Sequence, residues 1–126
     1  MKKFQYLFPF TVVLFLSIGS VAESAGPVTA GSCNNRAGGF CNEFTGPSYK
    51  AANVEKSCTK QKMAFLAGAC PAEGRVGSCI VYKGRNDESS YRYYGSFPGY
   101  GVKPKAGVVA EAEKQCSMLK GAWSPN

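Results

Sequence analysis

The sequence predicts a small α+β domain stapled by disulfides, with two short helices packed on one face of a small antiparallel sheet. Three observations predict it. All six cysteines follow an apolar N-terminal leader, two cysteine-bearing segments look like copies, and two stretches of helical periodicity each carry a cysteine on their apolar side.

The leader opens with Lys2 and Lys3, runs through an apolar stretch at residues 7–18, and reaches the small residues Gly19, Ser20, Val21 and Ala22. That order is the pattern of a secretory signal, with cleavage expected after Ala22. A spanning helix needs roughly 20 apolar residues, and this run is shorter and interrupted by Pro9 and Thr11. A lipid anchor would use a cysteine at the cleavage point, whereas the first cysteine is Cys33. The expected product is residues 23–126, a single cysteine-rich domain that is periplasmic or extracellular, with no stable membrane insertion after cleavage.

An even cysteine count in a small exported chain argues for three disulfides. Each contributes roughly 2–4 kcal/mol, comparable with the whole net stability of a small domain. There is no histidine, which removes histidine-activated nucleophiles, the usual zinc-enzyme sites and pH sensing near neutrality. No Cys-x-x-Cys occurs either, so thioredoxin-like redox chemistry lacks its motif. No cofactor and no metal are expected. Removing Lys2 and Lys3 from the 15 basic residues leaves 13 against 8 acidic ones, a net +5. This balance favours acidic surfaces such as anionic glycans or envelope components, although it also lies within ordinary solubility charge. Nucleic acid is not the favoured partner.

The repeat is read by aligning Gly31-Ser32-Cys33 with Gly68-Ala69-Cys70, and Cys41 with Cys79. On this register the units are about 31–69 and 68–126, and the second carries an insertion of about twenty residues between Gly84 and Val109. Ala51, Val54 and Cys58 recur with helical spacing, as do Val109, Ala112, Cys116 and Leu119. Start signals for the first helix are Pro47-Ser48 or Asn53, and Gly121 stops the second. Strands are expected at residues 40–44, 63–66, 78–83 and 91–94, the last two forming a hairpin, followed by an irregular Gly/Pro-rich loop at 97–105. Equivalent bridges in the two units would be Cys41–Cys58 and Cys79–Cys116, which leaves Cys33 and Cys70 to pair across the units.

The inserted stretch collects tyrosines and basic residues, of which Arg85, Arg92, Tyr94, Tyr100, Lys103 and Lys105 are the candidate binding residues. Aromatic faces stack on rings while Arg and Lys meet anions. Strand alternation places Tyr91 and Tyr93 on one face, expected under a helix, with Arg92 and Tyr94 on the other. Trp123 is expected to close the core. Glu43 and Glu73 are the acids of the cysteine-spaced segments, and nothing in their spacing brings them together as a catalytic pair. The favoured function is a non-enzymatic exported binding module for an anionic glycan or envelope component. Alternatives are an enzyme inhibitor presenting the loop between Cys70 and Cys79 with Arg75, a histidine-free hydrolase, and a purely structural envelope protein.

Overall fold

A computed structural model describes residues 30–126, so the leader and its cleavage site lie outside the described residues. The chain forms one ββαβ unit and then another. The first comprises β1 (Ser32–Asn35), β2 (Phe40–Phe44), α1 (Ala51–Lys60) and β3 (Ala64–Leu66); the second comprises β4 (Arg75–Val81), β5 (Ser89–Tyr94), α2 (Val108–Met118) and β6 (Ala122–Pro125). The strands make one six-stranded sheet in the order β3-β1-β2-β5-β4-β6, antiparallel at every pairing.

Residues directly opposite one another in an antiparallel sheet share a face. A single row of partners therefore crosses all six strands on one face: Phe65, Cys33, Asn42, Tyr91, Cys79 and Trp123. Cys33 bonds to Cys58 in α1 and Cys79 bonds to Cys116 in α2. Both helices consequently lie on that face. At 10 and 11 residues such helices are marginal in isolation, and neither has a side-chain N-cap. The first begins after Lys50, beyond Pro47-Ser48 and before Asn53. Burial of Val54 and Ala112, together with one disulfide each, fastens them to the sheet.

The same row fixes the register of the repeat. Cys33 faces Asn42 and Phe65 as Cys79 faces Tyr91 and Trp123, so Gly31-Ser32-Cys33 corresponds to Gly77-Ser78-Cys79 and not to residues 68–70. A pseudo-twofold axis then passes between Asn42 and Tyr91, which are cross-strand partners and equivalents of each other. The extra length of the second unit divides between two places. Cys33 to Asn42 is nine residues and Cys79 to Tyr91 is twelve, while the β5–α2 loop takes the rest.

Three disulfides are present, and two differ from the pairing expected by symmetry. Cys79–Cys116 is as expected, whereas Cys33 bonds to Cys58 and Cys41 to Cys70, replacing Cys41–Cys58 and Cys33–Cys70. The reason is geometric. Cys41 neighbours Asn42 along β2, so its side chain points away from the helices and cannot reach Cys58. It meets Cys70 in the connection from β3 to β4, which must pass from one half of the sheet to the other and runs across the helix-free face as a strap.

On the helix face, Tyr93 is wholly buried with Phe97 edge-on at 4.8 Å and Trp123 at 5.8 Å, so Trp123 closes this core as expected. A second cluster under α1 holds Val54 and Cys58 with Phe44, Tyr49 and Phe65.

Candidate binding surface

The chain leaves β5 where β2 begins, because Phe40 faces Tyr93. The β1–β2 turn at residues 36–39 therefore meets the loop at residues 95–107. Tyr94 N–H donates to the Gly39 carbonyl at 2.9 Å, and Tyr100 N–H donates to the Ala37 carbonyl at 3.2 Å. The contact is backbone on backbone. A Cβ on Gly39 would collide with the Phe97 main chain, and one on Gly99 with the Ala37 carbonyl. Phe97, buried against Tyr93, anchors the loop from below.

Tyr100 projects from this anchored loop. It is 78% exposed and sits at φ +55°, a left-handed conformation that costs a non-glycine residue about 1–2 kcal/mol. Beside it an open cleft of about 510 Å³ is lined by Phe97, Tyr100, Val102, Lys103, Pro104 and Val108. Lys105 is exposed two residues beyond Lys103. Among the described residues neither lysine is in an ion pair.

A second cleft, of about 280 Å³, opens on the helix-free face and shares Ser96 with the first. Its walls carry Asn34, Arg36, Glu73, Tyr94 and Ser96. The Tyr94 hydroxyl donates to the Pro71 carbonyl of the strap at 2.7 Å, which fixes the ring. Burial pushes this hydroxyl's pKa up, against the opposing pull of the Arg75 guanidinium. Sequence reasoning missed Asn34, Arg36 and Ser96. The available signal was the polar run Asn34-Asn35-Arg36 before Gly38-Gly39, which reads as a hairpin once β1 is recognised.

The other candidates separate from this surface. Arg85 lies in the β4–β5 loop, at the far end of β5 and roughly 20 Å from Tyr94 at about 3.3 Å per residue. There it pairs with Asp87 at 3.0 Å and stacks 4.7 Å over the Tyr82 ring. Arg92, expected at the surface, is 7% exposed; its Nε and Nη2 both donate to Glu43 Oε2, at 3.0 and 2.7 Å. Burial under the strap removes it from any ligand surface. Glu43 Oε1 accepts from the Cys70 N–H at 3.0 Å, so this acid holds the strap in place. Arg75 is turned inward, donating to the Cys70 and Pro71 carbonyls. Its loop runs between two anchored cysteines, Cys70 bonded to Cys41 and Cys79 bonded to Cys116.

Among the described residues, Glu73 is the single carboxylate lining either cleft. No cluster of three or more His, Cys, Asp or Glu residues there has metal-binding geometry, and no helix is long and apolar enough to cross a membrane. Three disulfides fit a secreted or extracellular protein. Neither protein-family models, characterised proteins nor solved structures yield a match to this chain.

Proposed function

We propose that the protein is an exported, non-enzymatic binding module that engages an anionic glycan or envelope polymer through the β5–α2 loop, after removal of residues 1–22 as a signal peptide. The observation that carries this reading is Tyr100: a tyrosine held 78% exposed in a left-handed conformation, on a loop otherwise pinned by close backbone contacts. Strained, exposed residues on anchored loops concentrate at functional sites. Lys103 lines the same cleft and Lys105 is exposed two residues further on, neither in an ion pair among the described residues, so a sugar ring on the tyrosine would bring its acid groups toward cations.

The test is retention of the purified disulfide-intact protein on immobilised heparin and on alginate. Wild type elutes at higher salt than Tyr100→Ala or the Lys103→Ala/Lys105→Ala double variant, because exposed charge contacts are screened within about 10 Å at 0.1 M salt. Failure of the wild type to be retained on either matrix at low salt overturns the proposal. Arg92→Ala is unsuitable as a probe of the surface, since it removes the nearer of the two guanidinium groups paired with the buried Glu43.

A further inference from the structure

We infer that the cleft on the helix-free face holds one pyranose unit of a glycan, recognised through its hydroxyls and not through charge. The inference rests on the glycan reading above but on different residues. Asn34 is 8% exposed and lines the cleft; its side-chain amide makes no hydrogen bond to another described residue, and its polar atoms open to the cleft instead of being sealed from water. An amide held on a cleft wall with its donors and acceptor free can meet a polar ligand without breaking a contact within the protein.

The remaining walls suit a sugar ring. The Tyr94 ring is held by its hydroxyl on the strap, so it offers a fixed apolar side. Arg36 presents donors, Glu73 acceptors, and Asn34 and Ser96 both. Vicinal hydroxyls, each a donor and an acceptor, match planar amide, guanidinium and carboxylate groups in pairs. Arg36 and Glu73 cancel in formal charge, so no net field selects an anion. A cleft of about 280 Å³ has room for a single sugar ring. The strap builds the site: the Cys41–Cys70 bond, together with the Cys70 N–H to Glu43 and Tyr94 to Pro71 hydrogen bonds, holds Pro71 and Glu73 at the cleft.

The experiment is an amide-resonance titration of the wild-type protein with methyl β-glucoside, methyl β-galactoside, methyl α-mannoside and N-acetylglucosamine, using sorbitol as an acyclic control. At least one cyclic sugar is expected to shift Asn34, Tyr94 and Ser96 with a dissociation constant on the order of millimolar, unchanged by added salt. Asn34→Ala and Glu73→Gln are expected to weaken that binding tenfold or more, while Tyr100→Ala leaves it unaltered. Glu73 is exposed, so its variant keeps the test valid if Asn34→Ala folds poorly. No shift with any of the four sugars, equal shifts with sorbitol, or shifts centred on Tyr100 would overturn the inference. Because retention on heparin or alginate depends on salt and on Lys103 and Lys105, loss of one activity leaves the other readable.

Discussion

Glu43 and Arg92 are the same position of the repeated unit, one in β2 and one in β5, and they form a buried ion pair with each other. Their side chains share the helix-free face and meet at 2.7 Å beside the pseudo-twofold axis. A repeat identical at this site would bury two like charges together; here the copies have opposite charges. Breaking a buried pair leaves an uncompensated charge and costs about 3–5 kcal/mol. Glu43→Gln is therefore expected to lose that much in urea unfolding of the disulfide-intact protein. Glu43→Met/Arg92→Leu should recover most of the loss, short by about 1–3 kcal/mol for the Cys70 N–H left without its acceptor. A cost for Glu43→Gln under about 1 kcal/mol, the range of surface pairs, would contradict this account.

The disulfides divide the work differently from what cysteine symmetry implies. Their sequence separations are 25, 29 and 37 residues, a spread that changes loop entropy by only about 0.3 kcal/mol. Each removal should thus cost a similar amount, about 2–4 kcal/mol, while loosening a different part. Cys41→Ala/Cys70→Ala is expected to speed amide exchange across residues 67–74 and leave α2 protected. Cys79→Ala/Cys116→Ala should do the reverse. Peptide mapping that recovers a Cys41–Cys58 or Cys33–Cys70 fragment would refute the arrangement.

The misread pairing shows what was legible in the sequence. Both helices, the strands β2 and β5 and the hairpin before β5 follow from periodicity and turn residues, because apolar spacing reports which side is buried. The repeat register does not follow from cysteine spacing alone. Cys70 lies in a strap with no counterpart in the second unit, so aligning on it shifts every later pairing. Gly77-Ser78-Cys79 repeats Gly31-Ser32-Cys33 without a mismatch, and there the backbone equivalence was written plainly. β1 and β6 escaped because Ser-Cys-Asn-Asn and Ala-Trp-Ser-Pro lack the β-branched run that marks a strand. The back cleft escaped with β1, since Asn34 and Arg36 belong to it and to its turn. Tyr100, Lys103 and Lys105 were visible because they stand in an irregular loop.

Lys62 and Lys120 are also equivalent, each the second residue past its helix, at φ +57° and +54°. Left-handed residues at this place are usually glycine, since a Cβ costs about 1–2 kcal/mol there. Glycine gives back part of that gain through the freedom it adds to the unfolded chain. Lys62→Gly and Lys120→Gly are each expected to stabilise the protein by up to about 1 kcal/mol, and to add when combined because the sites lie in separate units. A drop in Tm for either would point to an unseen role for the lysine.

Alkaline pH should unfold the protein through its buried tyrosines. Burial pushes the Tyr93 hydroxyl well above its ordinary value, and Tyr91 and Tyr49 shift the same way, chiefly for the same reason. The folded state thus keeps protons that the unfolded state releases near pH 10. Stability from this source is complete below about pH 10 and falls as pH rises beyond it. With no histidine to titrate, stability should be nearly flat around neutrality. Phenolate absorbance measured against circular dichroism checks both points: ionisation of the buried tyrosines should coincide with loss of structure. Tyr93→Phe should extend the folded range upward.

Gly31 and Gly77 occupy one position of the repeat, and over each lies the aromatic residue of the neighbouring edge strand, Phe65 or Trp123. A Cβ at Gly77 would enter the Trp123 ring, and one at Gly31 would meet both Phe65 and the Leu66 carbonyl. The glycine at this point is what lets an edge aromatic lie flat on the sheet and close its core. Overpacking of this kind costs about 1–3 kcal/mol. Trp123 is the single tryptophan, so its fluorescence reports the consequence directly. Gly77→Ala is expected to lower stability by that amount and move the emission to longer wavelength as the ring is pushed toward water. Gly31 adds a left-handed φ of +98°, so Gly31→Ala should cost more than Gly77→Ala yet leave the Trp123 emission in place. An unshifted spectrum in Gly77→Ala, or a shifted one in Gly31→Ala, would show that the two halves do not pack as independent copies of one design.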